Sequence, residues 1–390
     1  MDFDTMIDRL HTDSIKYNMK EANMPEDVIP LWVADMDFLA PEPVIKALRN
    51  RVNHGIYGYS RFSASYYEAV IRWMKDRHDW EVKRDWILVM PGVIPAINVA
   101  IQAFTNKGDG VLIQQPVYHP FRQAVLNNGR KLVNSPLILE GNRYRMNLED
   151  VEKKIISENV KLFILCSPHN PVGRVWSKQE LMDVADICIK HDVLIVVDEI
   201  HHDIVYPQFT HTVLASLGEP YQNHTITCTA PTKTFNLAGL QVANIIIPNE
   251  SLRRTFRHHL MSLGFPPTNL FGRIACEVAY REGGAWLDAL LRYLDKNRRF
   301  VQDYLMTNLT PIQLVEPEAT YLLWLDFRNL GLSHEDLERF LVYEAKLWLN
   351  QGKMFGDEGE GFFRMNIATP KKRLQDALYQ LKKALDRLMR

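Results

Sequence analysis

Lys233 stands in "TAPTKTFNLAGLQ", residues 229–241, directly after a run that reads as a buried strand, His224-Thr225-Ile226-Thr227-Cys228. Lysine is costly to bury, so an amine at the end of a core strand is a candidate nucleophile or proton carrier, with a pKa that burial lowers. Other apolar runs end in groups of similar promise. Ile87 to Met90 leads into Pro91-Gly92-Val93-Ile94 and a helical pattern over 95–104, where backbone N–H groups at a helix's positive end suit an anion. Val111 to Ile113 leads to Tyr118, a ring able to stack on a flat partner. Leu162 to Leu165 leads to Cys166-Ser167-Pro168-His169-Asn170-Pro171-Val172-Gly173, a stiff backbone presenting the amide of Asn170. Val193 to Val197 leads to Asp198-Glu199-Ile200-His201-His202-Asp203, whose first carboxylate needs a cationic or hydrogen-bonding partner. A tight turn, a loop aromatic or an Asn-Pro turn explains any one of these alone. Their joint appearance does not reduce to turns.

These residues need a frame that brings strand ends together. From about residue 85 to 250 the apolar runs, with Asn244 to Ile247 as the last, alternate with helical patterns. They are short, β-branched and apolar on both faces, as strands of a buried parallel sheet should be. Ser177-Lys178-Gln179-Glu180 forms a capping box ahead of the stripe Leu181, Val184, Ala185 and Cys188. Strand-helix-strand repetition predicts an α/β fold with right-handed crossovers, and ligands of such sheets gather beyond the strands' carboxyl ends. The last hundred residues read differently. Tyr321 to Phe327 is a strand, Ser333 caps a helix to about 345, and Pro370 opens an amphipathic helix striped by Leu374, Ala377, Leu378, Leu381 and Leu385. The expected division is a large domain over 51–284 and a smaller α+β domain over 1–50 and 285–390, bridged by a long helix after Gly283-Gly284.

Composition narrows the function classes. The 390 residues are 46% hydrophobic and 24% charged, with 46 Lys plus Arg against 47 Asp plus Glu and a formal net charge of -1. That balance suits an ordinary soluble globular protein and argues against nucleic acid or an anionic membrane as main partner. Cys166, Cys188, Cys228 and Cys276 lie far apart and read as buried thiols of a reducing, cytoplasmic compartment. The start Met1-Asp2-Phe3-Asp4 lacks the apolar core of a signal peptide, and no run approaches the roughly 20 residues that span a bilayer. Adjacent His201 and His202 in an extended segment point opposite ways, and Cys166 with His169 has no second pair, so no metal site is expected.

Tyr118, Asn-Pro-x-Gly at 170–173, Asp198 and Thr232-Lys233, in that order, resemble the signature of the pyridoxal-phosphate enzymes of the aspartate-aminotransferase fold type. The narrower resemblance is to their cystathionine β-lyase branch of C–S lyases. It is carried by Leu31 to Phe38, Tyr57-Gly58-Tyr59, Asp198 to His201, Lys233 to Gln241 and Gly361 to Asn366. It implies a fold-type I transferase architecture, with a large domain built on a mainly parallel seven-stranded sheet flanked by helices. It implies pyridoxal 5′-phosphate held covalently by Lys233, whose amine then acts as general base. Asp198 would pair with the ring nitrogen, Asn170 and His201 with the phenolic oxygen, and Tyr118 would stack. Gly92, Val93, Ile94, Thr229 and Thr232 would hold the phosphate, joined by Tyr59 of the neighbouring subunit in a homodimer with shared sites. Arg364 would fork onto the substrate α-carboxylate. Asn170, Tyr118 and Asp35, with His119, Tyr321 and the Phe355 loop, would shape the substrate side. Gln241 stands where aminotransferases commonly have a phosphate-binding arginine, as the lyase branch tends to have. Gly239 is expected to permit close packing. The implied reaction is β-elimination from cystathionine, cysteine or cysteine S-conjugates. The alternatives are transamination, which differs in where one proton goes, and a regulator that binds a transcription activator.

Overall fold

A computed structural model describes residues 1–20, 24–264 and 268–390. Alternation along the apolar runs builds the central sheet. Val111, Ile113, Leu162, Ile164, Val196, Ile226 and Cys228 belong to one apolar core, and Leu112, Phe163, Leu165, Ile195 and Val197 belong to the other. Successive strand residues point to opposite faces, so both faces are covered and the runs carry no polar alternation. Fully burying each such side chain contributes about 1.5–3 kcal/mol.

The sheet has seven strands in the order Ile87–Met90, Ala243–Ile246, Thr225–Thr229, Leu194–Asp198, Val160–Cys166, Gly110–Ile113 and Lys131–Asn134. From Thr225–Thr229 to Lys131–Asn134 all pairs are parallel. Ala243–Ile246 runs antiparallel to both of its neighbours, which corrects the expectation that this run is another parallel strand. A strand apolar on both faces reads alike in either direction, so composition could not reveal the reversal. Lys131–Asn134 is an edge strand with an exposed lysine, too polar to stand out as a core strand.

Helices cover the sheet as the stripes predict. Val93–Phe104 buries Val93, Ala96, Ile97 and Ala100 on one side, and Lys178–Lys190 buries Leu181, Val184, Ala185 and Cys188 on the other. The Ser177/Glu180 capping box is formed in both directions. A second, antiparallel sheet consists of Gln313–Leu314, Leu322–Asp326, Phe362–Asn366 and Asn350–Gln351. Ser333 caps His334–Arg339, which continues into a π-helical turn at Phe340–Glu344. Lys371–Leu388 lays its leucine stripe into the core beside it. The expected long helix runs over Gly284–Asn308.

One segment ties the two sheets together. The N–H groups of Glu318 and Ala319 both donate to the Gly173 carbonyl at 3.0 Å, and Thr320 N–H donates to Ile204 O at 2.7 Å. Gly173 has φ +73°, left-handed backbone that favours glycine, while a Cβ there would sit at ordinary contact distance, 3.5 Å, from Ala319 O and Pro317 Cα. The buried Glu318 carboxylate accepts from Arg174 Nη1, from Arg143 Nε and from Val175 N–H. The loop holding Asn170 is therefore clamped to the segment that delivers Tyr321.

Candidate active site

The strand ends meet around a cavity of about 230 Å³. Gly92, Val93 and Ile94 line it from one strand, with Tyr118, Asn170, Asp198, His201, Thr232 and Lys233 arriving from four others. Gly92 has φ 174°, extended backbone open to any residue, so its glycine is explained by a wall without a side chain and not by strain. The first-turn N–H groups of Val93–Phe104 have no intrahelical acceptor and carry the positive end of the helix dipole.

Lys233 sits on a one-turn helix, Pro231–Thr234, past the strand and not on it. Its Nζ donates to the Ala34 carbonyl at 2.7 Å, and the Tyr321 hydroxyl donates to the same oxygen at 3.0 Å. Burial, then the nearby Arg364 charge, lowers the amine to about 8. Asp198 accepts one backbone bond, from Ile200 N–H at 3.0 Å, and burial pushes its carboxyl up to about 7. His201 is driven well below its ordinary value by burial, then by Lys233 and Arg364, so its ring is neutral; its Nδ1 has no partner.

Arg364 projects from Phe362–Asn366 in the second sheet. Its Nη1 donates to Asn170 Oδ1 at 2.9 Å, its Nη2 to Trp32 O at 3.1 Å and also to Asn350 Oδ1. The guanidinium lies 4.8 Å from the Phe355 ring centroid, and burial brings its pKa down to about 10. His119 packs edge-on to both Tyr118 and Phe355.

Thr229 and Asp35, named for the site, do not line this cavity, and neither does Tyr59, which was expected to reach the neighbouring subunit's site. Thr229 is inside its strand, with its hydroxyl donating to Asn244 O at 3.2 Å. Tyr59 is fully exposed. Asp35 lines an adjacent cleft, where Arg9 Nη1 holds it at 3.0 Å. Gly239 borders that same cleft, and a Cβ on it would meet nothing within 4 Å, so close packing is not its reason. Residues 199–203 form turns and not an extended segment: His202 N–H donates to Glu199 O at 3.0 Å. His202 joins His78 and Asp203, a group whose ligand-type atoms lie within 4.8 Å of one another.

Sequence reasoning missed the backbone contributors. The carbonyls of Ala34 and Trp32 carry no side-chain signal, and Asn350 sits in a short strand of a different sheet. Asn236, in left-handed backbone at φ +58°, bonds Met36 N, Met36 O and Phe38 O, and so fastens residues 36–38 beside the lysine turn. The signal for that contact was the stretch Leu31 to Phe38, which follows only the two-residue strand Ile29–Pro30 and caught attention through resemblance.

The donor set fits pyridoxal phosphate. Tyr118 would offer a flat cationic ring a stacking face, and the under-bonded Asp198 would accept its N–H. The N-terminus of Val93–Phe104 and Thr232 would hold a phosphate, and Lys233 would offer an amine lowered toward neutrality. Gln241, at φ +52°, also lines this cavity.

Known proteins resemble the chain over nearly its whole length. The family model described as aminotransferase class I and II matches residues 26–381. Cystathionine beta-lyase PatB of Bacillus subtilis is 42% identical over 386 residues, covering 99% of this chain and 100% of the relative. The solved structure of cystalysin from Treponema denticola, which contains a pyridoxal 5′-phosphate cofactor, superposes with TM-score 0.96 at 40% identity, covering 99% of both chains. The pyridoxal-phosphate-bound C-S lyase from Staphylococcus hominis superposes with TM-score 0.91 at 35% identity, again over 99% of both chains.

Proposed function

The chain belongs to the aminotransferase class I and II family, and on that premise we propose that it is a pyridoxal-phosphate-dependent carbon–sulfur β-lyase acting on cystathionine or related cysteine S-conjugates. The observation that carries this reading is full-length similarity to named C–S lyases, over residues that converge on one cavity.

The cofactor, when bound, supplies an electron sink for the negative charge that develops at the substrate α-carbon. The chain's own residues do the rest. Arg364, already desolvated, grips the α-carboxylate, and Asn170, whose Oδ1 holds the Arg364 guanidinium, keeps an amide N–H available on the same side. Lys233, released from the Ala34 carbonyl, takes the α-proton; a pKa of about 8 suits a base near neutral pH. Asp198 keeps a proton on the ring nitrogen, which also resolves its own uncompensated charge. Neutral His201 and Asn170 would bond the cofactor's phenolic oxygen, and Tyr118 would shield its ring from water. The Cβ–S bond breaks, sulfur leaves as thiolate, and water completes the balance: cystathionine and water give homocysteine, pyruvate and ammonia.

The same reading assigns the phosphate to Gly92, Val93, Ile94 and Thr232, and makes the enzyme a cytoplasmic homodimer. Four buried free thiols support the location. Exposed Ile56, Tyr57 and Tyr59 support a partner surface, with Tyr59 reaching the neighbour's phosphate. It divides the chain into 51–284 and the remainder, in keeping with the two sheets. The deciding experiment is pyruvate release from cystathionine by the cofactor-loaded protein without added keto acid. Stoichiometric pyruvate and thiol support the lyase; amino transfer to 2-oxoglutarate without pyruvate overturns it.

A further inference from the structure

Behind the cavity wall, Asp203 gathers donors from separate parts of the chain. Its Oδ1 accepts from Trp73 Nε1 at 3.0 Å and lies 2.9 Å from His78 Nε2. Its Oδ2 accepts from the Thr234 hydroxyl at 2.7 Å and lies 3.1 Å from His202 Nε2. Trp73 and His78 come from the helix Ala64–His78, His202 from the turn that carries His201, and Thr234 from the turn that carries Lys233. His211, 3.2 Å from Glu199, packs against His78 and His202 and closes the cluster. Burial opposes ionisation of Asp203, yet His202 and His78 hold its carboxyl well below the usual range; His202 is raised by Asp203 despite its own burial. His78, His202 and Asp203 have metal-ligand chemistry, but N–H and O–H donors already fill both carboxylate oxygens. The cluster is a hydrogen-bonded hub.

Its place in the fold gives it a task. Pro231–Thr234 is a single turn, and so short a helix supplies little orientation of its own. The turn must be aimed from outside, and the residue that follows Lys233 is bonded to the hub. We propose that Asp203 is a positioning residue for Lys233: through the Thr234 hydroxyl it fixes the turn that aims the amine. A displacement of about 1 Å at the tip of a reacting group slows catalysis on the order of a hundredfold. The proposal rests on the reading of Lys233 as the reactive amine.

The test uses the full-length, cofactor-loaded protein with cystathionine. Thr234→Val is isosteric and deletes one bond. It should lower kcat about tenfold to a hundredfold with KM within about twofold, and shift the pH midpoint of the visible cofactor band by about half a unit. Thr234→Ser should restore both. Trp73→Phe removes a donor from the same carboxylate while keeping an aromatic ring against Phe235 and leaving the Thr234 bond in place; it should lower the thermal midpoint and leave kcat and the band midpoint as they were. If Thr234→Val moves only the thermal midpoint, or Trp73→Phe matches Thr234→Val in kcat and band, the hub is structural only and the proposal falls. Asp203→Asn keeps the shape and drops the charge. Its folded fraction should show the band shifted in the same direction, and an unshifted band overturns the proposal independently of Thr234. A wild-type protein that forms no visible band with pyridoxal phosphate sinks the reading of Lys233, whereas a band indifferent to every substitution sinks the positioning role alone.

Discussion

Asp198 and Asp203 sit at either end of one turn, and neither has appreciable contact with solvent. Asp198 accepts a single backbone bond and burial drives its carboxyl up to about 7. Asp203 takes donors on both oxygens, and its histidine partners hold it well below the ordinary range despite the same burial. Desolvation penalises both alike, so the number of partners decides the sign. One aspartate is finished within the chain. The other is finished only by a ligand that brings an N–H of its own.

The largest test of that contrast removes the group between the two. Lys233→Ala should lower kcat by about 10⁴-fold, the upper range for a positioned acid–base group, and abolish the visible band; turnover within tenfold of wild type would show that Asp198 serves some other amine. Next in size is a paired comparison in the apoprotein by urea unfolding. Asp203→Ala should lose about 3–5 kcal/mol, because it strands buried partners. Asp198→Ala should be neutral to stabilising at pH 8, since a carboxyl raised to about 7 opposes folding once it ionises. Equal losses in the two variants would erase the distinction.

Smaller still is the effect expected at the far wall. Arg364→Lys keeps the charge but loses the fork, and should raise KM for cystathionine about tenfold to a hundredfold, as for a lost charge-assisted bond of about 1.5–3 kcal/mol. An unchanged KM would move carboxylate recognition elsewhere. The smallest effect is a pH slope. Burial lowers His78 to about 4, so the unfolded chain, protonating near 6.5, binds more protons as pH falls between those values. Stability of the apoprotein should be intact above 6.5 and drain away toward 4. His78→Gln should recover about 1–2 kcal/mol of the loss at pH 4.5; identical acid limbs for variant and wild type would contradict the buried neutral ring.

The strand ends were legible because each polar residue follows a run that nothing but burial explains. Asn170, Asp198, Tyr118 and Lys233 therefore converge on one cavity as read. Thr229 was less legible, because strand ends blur by a residue and its strand extends to include it. Neither the Ala34 carbonyl nor the bonds around Asp203 could be read from spacing. A backbone oxygen has no residue type, and the donors to Asp203 come from as far away as Trp73 and Thr234. The resemblance supplied Arg364, which no strand-end argument reaches, since it lies on a different sheet.

The reversed strand Ala243–Ile246 carries one more lesson. Because it lies between Ile87–Met90 and Thr225–Thr229, it acts as a caliper: two interstrand spacings, about 10 Å in all, separate the helix-end anion site from the lysine turn. Because it runs backwards, it enters the sheet from the cavity side and leaves on the far side. The residue that reaches the cavity therefore precedes this strand, and it is Gln241. For every other strand around the site the useful neighbour comes after; here it comes before, and a survey of cofactor affinity along this chain should look upstream at that one place.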